Sequence, residues 1–445
     1  MKNLTNGNIY KTFLLFAIPM VLAGVFSQCY SVVNTILAGK LLGDGALAAI
    51  GSVAPLETFI NSIFWGYGSG VGIYVGQLFG AGDYAGMKRV VVSNYLFLSA
   101  AIVILSTCFV LFRYPLYSFL QVDPLLLESC NRYFIISMVG RVIVLFSINC
   151  VFVVNAMGDG AFPLWMSLVS TALNITVGVV SITQFSLGVE GLALGNVVSS
   201  AVVGALYLWK LSRSFKKVGV SRREGGFSFR AVGETCRYSL STMVQQSVMY
   251  LAGLTLSPMV NGIGSAASAS YTVSLRIYDI SAAVYQNSAK TVGSYTAQCF
   301  GAKKYGLLKR GLVVGFLQNL LFVAPFLLVS SLLARPVVML FFAADAAPLA
   351  VDYTVAFAQY CMPLLVMNIV ANLFHNFFRG IGYMKALLIT TITGSFARII
   401  ISWLLIQPFG IYGYYAGWVL SWLFDGAVGV LIYRFGKWRR ILEKP

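Results

Sequence analysis

Charged residues are scarce in this sequence. Asp, Glu, Lys and Arg together make up 10% of its 445 residues, against about 25% in a soluble globular protein. Apolar residues make up 58% of the chain, and the mean hydropathy is +0.82. Because water cannot solvate such a surface over most of its area, the composition excludes an ordinary soluble protein and predicts one embedded in a membrane.

Reactive side chains are also few. The chain has one histidine, His375, and seven single cysteines with no C-x-x-C pair. A scattered, odd set of cysteines argues against a disulfide framework or a metal cluster, and a membrane enzyme would need clustered reactive groups. We therefore expect no enzymatic activity, no bound metal and no cofactor. We interpret His375 as an interfacial residue rather than a proton relay.

Twelve apolar runs are long enough to cross a bilayer, which takes about 20 helical residues. The strands of a membrane barrel would instead alternate in polarity over about ten residues, and none of these runs suits that pattern. The sequence thus predicts an all-α integral membrane protein with twelve transmembrane helices. The predicted spans are 12–38, 49–77, 90–112, 132–154, 161–184, 188–210, 235–261, 268–295, 311–334, 352–378, 385–407 and 411–434.

The basic residues orient the chain rather than bind nucleic acid. The formal net charge is +17, but Lys and Arg lie mostly in short loops between the apolar runs, where they favour the cytoplasmic side. If both termini are cytoplasmic, the inside segments hold most of them, including Arg379. The outside segments then hold Lys40, Arg113, Arg132 and Arg335. We predict cytoplasmic termini in the plasma membrane of a prokaryote and no nucleic-acid partner.

One phrase occurs twice in the chain. GQLFGAGDYAGMKR (76–89) returns 221 residues later as AQCFGAKKYGLLKR (297–310). The repeat predicts two six-helix halves of equal orientation, related by a pseudo-two-fold axis along the membrane normal, whose rocking gives alternating access. We expect an N-terminal lobe (1–211), a basic cytoplasmic linker (212–233) and a C-terminal lobe (234–445).

Polar side chains inside the spans are the candidates for function, because they are costly to bury in hydrocarbon. Glu57 and Asp279 are the candidate carboxylates for taking up a cation or a proton. Asp279 lies three residues after Arg276, so an intrahelical ion pair of purely structural value is the alternative for it. The predicted substrate cavity comprises Gln28, Tyr30, Asn61, Gln245, Tyr250, Arg276, Gln286, Asn287, Lys290 and Arg398.

A glycine-rich segment, GYGSGVG (66–72), could suggest a phosphate-binding loop or an ion filter. A phosphate-binding loop follows a strand, and an ion filter needs fourfold repetition. Neither context is present around this segment. Close packing between helices, for which small residues are typical in membranes, is the better interpretation.

One proline and several sequence segments follow one another in an order that is informative. They are Pro19, VNTILAGKLLGDGALAAIGSV (33–53), the repeated phrase, NAMGDGAFPLWMSLVSTALNI (155–175), GVEGLALGNVVSS (188–200) and FRGIGYMKALL (378–388). In order and spacing they resemble the multidrug and toxic compound extrusion (MATE) family of cation-coupled exporters. The resemblance covers nearly the whole chain. It implies two six-helix lobes around a V-shaped cavity, and export of organic, often cationic amphiphiles against sodium or proton entry.

The sequence departs from the resemblance at the cation site that it implies in the first lobe. Many members of the family read V-D-T where this chain has Asn34, and L-N-x-x-x-D where it keeps Asn174 but has Gly178 for the carboxylate. Asn196 stands where a threonine is common. These asparagines offer neutral oxygens, whereas a hard cation prefers negative charge among its ligands. Coupling to Na⁺ or H⁺ through Glu57 or Asp279 is then one alternative, and a divergent substrate or mechanism is the other.

We therefore expect a secondary exporter of organic, cationic amphiphiles that works by cation antiport. Its expected partners are membrane lipids and the substrate, and the chain is expected to be a monomer. The alternative is a flippase for lipid-linked saccharides, whose cavity would be strongly cationic to hold pyrophosphate. Arg276, Lys290 and Arg398 allow this alternative, whereas Glu57 and Asp279 oppose it.

Overall fold

The chain folds into α-helices joined by short loops. The computed structural model describes residues 3–42, 44–119, 122–342 and 347–442, and its description leaves out the side chains at 29–40, 44–49, 119 and 222–223. Within these residues all regular structure is helical and there is no strand. The predicted all-α class is confirmed.

The helices vary widely in length, from single turns to more than fifty residues. Their order is α1 (Ile9–Leu42), α2 (Asp44–Ala81), α3 (Tyr84–Leu111), α4 (Arg113–Phe119), α5 (Leu127–Ala156), α6 (Ala161–Thr183), α7 (Val189–Lys217), α8 (Phe229–Asn261), α9 (Ser265–Gly301), α10 (Gly306–Leu332), α11 (Ala334–Met339), α12 (Pro348–Ala356), α13 (Leu365–Gly380), α14 (Met384–Phe435) and α15 (Arg439–Leu442). Short 3-10 turns occupy Pro124–Leu126 and Arg222–Gly225, and a π-helical turn occupies Phe357–Cys361.

Every predicted span coincides with a helix. The tenth span is α12, the π-helical turn and α13, which together bend by 59°. The last two spans are the limbs of α14, which breaks at Gly410 (φ 56°, ψ −133°). By length and composition, seven described helices could cross a membrane, or eight if the bent pair is one span. Helices α2, α8 and α9 are not among them, and these carry many of the predicted site residues.

The structure divides into two compact units. Unit 1 comprises Val25–Met243, and unit 2 comprises Asn3–Gly24 and Val244–Pro445. These units differ from the predicted lobes, because the start of α1 belongs to unit 2 and the start of α8 belongs to unit 1. The predicted linker also contains the end of α7, the Arg222–Gly225 turn and the start of α8.

The repeated phrase explains both exchanges. In unit 1 the Gln77 Oε1 accepts a hydrogen bond from the Tyr238 hydroxyl of α8 at 3.0 Å. In unit 2 the equivalent Gln298 Oε1 accepts one from the Leu4 backbone N–H at 2.8 Å, just before α1. Each half thus uses the same glutamine to hold the start of a helix that the sequence assigns to the other half.

The structure repeats at the same interval of 221 residues. The short helix α4, which starts at Arg113, has its counterpart in α11, which starts at Ala334. Gly82 and Lys303 occupy the same position in the two turns, and both adopt positive φ, 77° and 56°. A residue with a side chain costs roughly 1–2 kcal/mol in the left-handed region. The second turn keeps this backbone conformation although it has Lys303 where the first turn has glycine.

The glycine-rich segment packs on two sides of α2, as predicted. A Cβ atom on Gly66 or Gly70 would lie 2.6 Å from the Thr242 O or 2.5 Å from the Ser239 Cα of α8. Gly68 and Gly72 face α5 in the same manner, against Asn149 and Phe152. The spacing of four residues within each pair places them on one helix face. The interpretation as a helix-packing segment is confirmed.

Replacing Gly70 with alanine should destabilise unit 1. The added Cβ would meet backbone atoms of Ser239, which cannot rotate away, and overpacking of this kind costs about 1–3 kcal/mol. Thermal unfolding in detergent micelles should show a midpoint several degrees lower. Gly253→Ala is the control, because a Cβ there meets nothing within 4 Å and alanine favours a helix. Equal midpoints for the two variants would contradict the packing account.

Candidate functional site

Unit 1 contains a buried ion pair between α2 and α5. The Arg141 Nη2 lies 2.6 Å from the Glu57 Oε1, and the exposed fractions of the two side chains are 3% and 15%. The Arg141 Nη1 donates to the Asn61 Oδ1 at 3.1 Å. Ser137 and Tyr133 of α5 donate hydroxyl hydrogen bonds to the same carboxylate. Glu57 therefore has a guanidinium partner from another helix, and the pair as a whole is neutral.

Three of the positions that correspond to the predicted first-lobe cation site lie on α6 and α7 of unit 1. Asn174 is buried where α6 meets α7, next to Gly195, whereas Asn196 of α7 is exposed. Gly178 is buried, with Leu192 against it. The Asn34 side chain lies outside the described residues. Among those described, no three His, Cys, Asp or Glu side chains are placed to hold a metal ion.

The remaining predicted residues are dispersed. Gln28, in unit 1, and Tyr250, in unit 2, are half-buried, and the Tyr30 side chain lies outside the described residues. In unit 2, Arg276 is exposed on α9, and the half-buried Asp279 lies within its electrostatic reach. Two to three turns further along α9, the Lys290 Nζ donates to the Asn287 Oδ1 at 2.7 Å.

Arg379 is not in a solvated loop, contrary to our expectation. It is 8% exposed on α13, and its Nη2 donates to the Gln245 Oε1 at 2.6 Å. The Gln245 Nε2 in turn donates to the Thr391 Oγ1 at 3.1 Å. The loop was predicted to start before Arg379, but α13 continues to Gly380 and keeps this guanidinium inside unit 2. Gln245 is buried as a structural partner of Arg379.

A cavity in unit 2 has an aromatic wall, and we call it the unit 2 cavity. It measures about 90 Å³ and lies among α8, α9, α13 and both limbs of α14. The Tyr278 ring stacks on Trp422 with centroids 5.9 Å apart and an interplanar angle of 15°. Its centroid also lies 5.0 Å from that of Trp418. These flat apolar faces suit an aromatic or alicyclic ligand.

Amide and hydroxyl groups form a second part of the cavity wall. The Asn368 Nδ2 donates to the Tyr278 hydroxyl at 3.1 Å and to the Tyr285 hydroxyl at 2.9 Å, and the two hydroxyls are 2.8 Å apart. Asn368 lies in the first turn of α13, shortly after the π-helical turn and the bend. A break of this kind frequently marks a functional site, because it changes which side chains face inward.

Three charged or titratable side chains complete the cavity lining. The Arg398 guanidinium carbon lies 4.5 Å from the Trp418 ring centroid, and its Nη2 donates to the Tyr414 hydroxyl at 3.1 Å. The His375 Nε2 lies 2.9 Å from the Asp425 Oδ1, with exposed side-chain fractions of 6% and 16%. A Cβ on the opposing Gly394 would come within 2.8 Å of Asp425, so a residue without a side chain is needed there.

A family comparison covers both halves of the chain. The family model described as MatE matches residues 19–180 and 241–404. The chain belongs to the MatE family. It is accordingly a multi-pass membrane transporter and not an enzyme, and the two matched segments follow the internal repeat.

Curated relatives of this MatE protein are distant. The probable multidrug resistance protein YoeA of Bacillus subtilis is 24% identical over 70% of this chain and 69% of its own length. The multidrug export protein MepA of Staphylococcus haemolyticus is 23% identical over 61% of this chain and 60% of its own length. The matched part thus spans about two thirds or less of these relatives.

Solved MATE structures share the fold of the whole chain. A transporter of the MOP superfamily from Pyrococcus furiosus, described as having a binding pocket of reverse polarity, is 20% identical, with a TM-score of 0.90 over 100% of this chain and 99% of its own. An aspartate-to-asparagine variant of the Vibrio cholerae MATE transporter VcmN is 17% identical, with a TM-score of 0.91 over 98% of both chains. At these identities the likeness concerns the fold alone.

The cavity of the MatE protein includes only part of the predicted site. Gln286 and Arg398 line it, and Gln245 adjoins it through Thr391. The sequence reasoning missed Trp418, Trp422 and Asp425 and discounted His375. Asp425 carried a usable signal, since it is a lone carboxylate in the apolar run LSWLFDGAVGV (420–430). Its pairing with a histidine 50 residues away on another helix had no signal in the sequence.

Glu57 and Arg141 should be energetically coupled, so that the free energy of unfolding depends on the presence of both side chains together. Arg141→Met should destabilise the protein by about 3–5 kcal/mol, because it leaves a buried carboxylate without its partner. Adding Glu57→Gln to that variant should restore a large part of the loss. Thermal unfolding of both single variants and the double variant in detergent micelles measures this coupling. Strictly additive losses would contradict the account.

Proposed function

We propose that this MatE protein is a secondary active exporter of organic, cationic amphiphiles, driven by antiport of an inward-moving cation and working by alternating access. The observation that carries the proposal is the unit 2 cavity. It combines four aromatic rings, those of Tyr278, Tyr285, Trp418 and Trp422, with one carboxylate, Asp425, inside helices of a membrane protein. The curated relatives that are named for multidrug resistance and multidrug export support it.

The cavity chemistry indicates the class of substrate. Tyr278, Trp418 and Trp422 offer apolar faces, and electron-rich rings also attract cations, by about 0.5–2 kcal/mol each. Asp425 is the only carboxylate among the described residues that line the cavity. An amphiphile with a flat apolar body and one positive charge satisfies both features.

The proposed coupling ion is Na⁺ or H⁺. The carboxylates that the family resemblance implies in the first lobe are replaced at Asn34 and Gly178. Glu57 is neutralised by Arg141, which makes it a weaker candidate than the sequence suggested. Asp279 remains a candidate, although it does not line the unit 2 cavity. Coupling through either of these two carboxylates stays a prediction.

We also propose a location in the prokaryotic plasma membrane with both termini cytoplasmic. Arg379 no longer counts among the Lys and Arg residues of the predicted cytoplasmic loops. The linker and the C-terminal segment remain the main clusters of these residues, so the predicted cytoplasmic side still carries more positive charge than the other side. Membrane lipids and the substrate are the proposed partners of a monomeric chain.

Export of an anionic lipid-linked saccharide is the second candidate. Arg398 and Arg379 favour it, because no carboxylate among the described residues lies within ion-pair distance of either guanidinium, and each Nε is buried without a hydrogen-bond partner there. An unpaired buried guanidinium favours an anionic ligand. The paired Glu57 no longer opposes this alternative, whereas Asp425 in the cavity still does.

Trp422→Ala should weaken transport of a cationic amphiphile in proteoliposomes. Loss of the stacked ring removes about 0.5–1.5 kcal/mol, so the half-saturating concentration of a fluorescent organic cation such as ethidium should rise about two- to tenfold. Efflux is followed under separately imposed proton and sodium gradients.

Trp403→Ala is the matched control for this assay. It lies on the other limb of α14 and is 57% exposed, so its efflux should equal that of the unaltered protein. Equal effects of the two substitutions would contradict the cavity as the substrate site. No gradient-driven efflux of any cationic amphiphile, with translocation of a fluorescent lipid pyrophosphate, would establish the flippase instead.

A further inference from the structure

We propose that His375 and Asp425 form an exchange site in unit 2, at which a proton and the organic cation compete for the same carboxylate. The inference rests on the proposed function and identifies both the coupling ion and its place. His375 is supplied by α13 and Asp425 by the second limb of α14, 50 residues apart in sequence. Both side chains line the aromatic cavity, so a ligand in the cavity can reach the pair.

The geometry allows the pair to exist in two forms. The His375 Nε2 and the Asp425 Oδ1 are 2.9 Å apart, a distance that suits either a neutral hydrogen bond or a charged one. Histidine is the side chain whose charge ordinarily changes between pH 5 and 8. With a proton on both ring nitrogens, the imidazolium neutralises Asp425. After one proton leaves to water, the carboxylate keeps its full negative charge and the imidazole is neutral.

Whether His375 is charged or neutral matters for cation binding because of the other charges around the cavity. Arg398 adds one fixed positive charge to the lining. On α13, Arg379 lies one turn beyond His375. Its positive charge and that of Lys290 on α9 are close enough to repel each other. The other titratable groups among the described residues that line the cavity are the Tyr278 and Tyr285 hydroxyls, which are neutral at ordinary pH. Outside the lining, the Asp279 carboxylate on α9 lies within electrostatic reach of both hydroxyls.

A count of the lining charges shows why only one cation is admitted. With His375 neutral, Arg398 and Asp425 cancel and the lining carries no net charge. Either a proton on His375 or one organic cation brings the total to +1. Both together would bring it to +2 around a single carboxylate in a poorly solvated site, where like charges repel strongly. Mutual exclusion of proton and substrate at one site is the requirement for antiport.

Linkage gives the direction of the pH effect. If cation binding needs a neutral His375, then a bound cation must also weaken proton binding by the same factor. Below the pH at which His375 takes up its proton, affinity for the cation should fall about tenfold per pH unit, with release of about one proton per cation bound. Above that pH the affinity should be constant. Sodium ions should have no comparable effect.

The test is binding of tetraphenylphosphonium to the purified full-length protein in lipid nanodiscs, by calorimetry between pH 5 and 8.5. Measurements in buffers of different ionisation enthalpy count the protons released. The unaltered protein should release close to one proton per cation at the acid end and none at the alkaline end. His375→Gln retains a hydrogen-bond donor for Asp425 but cannot titrate, so its affinity should not vary with pH. Asp425→Asn should bind at least tenfold more weakly at high pH.

Asp352→Asn is the matched control, because this carboxylate is exposed and paired with Arg335 outside the cavity. It should behave as the unaltered protein does. Zero proton release by the unaltered protein, or an unchanged pH profile in His375→Gln, would overturn the exchange site while leaving the exporter proposal standing. Absence of tetraphenylphosphonium binding at every pH would overturn the proposed function as well. Because proton release is measured on the unaltered protein, the inference remains testable if a variant fails to fold.

Discussion

The cost of a charge in hydrocarbon is the constraint on which both units depend. Each charged side chain inside the helices needs a partner, since an isolated ion there costs several kcal/mol. Unit 1 meets the constraint with the Glu57–Arg141 pair at 2.6 Å. Unit 2 has His375 and Asp425 at 2.9 Å, and its Arg379 and Arg398 donate to Gln245 and Tyr414 instead of to a carboxylate. The two solutions differ in one respect: arginine keeps its charge at every ordinary pH, whereas histidine does not. One pair is therefore fixed and the other can switch.

The internal repeat explains why the units share a scaffold and differ in chemistry. At the interval of 221 residues, Gln77 corresponds to Gln298 and both hold the start of an exchanged helix. At the same interval Glu57 corresponds to Tyr278, so a carboxylate in one half stands where the other half has an aromatic cavity wall. The repeat thus retains the two glutamines that hold the exchanged helices, whereas of the packing glycines of α2 only Gly72 has a glycine counterpart, Gly293.

The architecture could be predicted from the sequence, because it depends on local properties. Length and hydropathy identified twelve spans, each of which coincides with a helix, and the small residues of the segment 66–72 indicated close helix packing. The site depends instead on which helices meet. Nothing local shows that the start of α1 packs in unit 2, that Arg141 reaches Glu57, or that His375 meets Asp425. For the same reason Arg379 was assigned to a loop, since a charge near the end of an apolar run is solvated unless another helix covers it.

The central claim is that the substrate binds in the unit 2 cavity, between its aromatic wall and Asp425. Anomalous X-ray scattering from crystals that contain a bromine-labelled organic cation locates the ligand without reference to activity. We predict a bromine peak within the cavity, close to Trp418 and Trp422 and within ion-pair reach of Asp425 for the charged group. A peak beside Glu57 and Asn61 in unit 1, with none in the unit 2 cavity, would contradict the account.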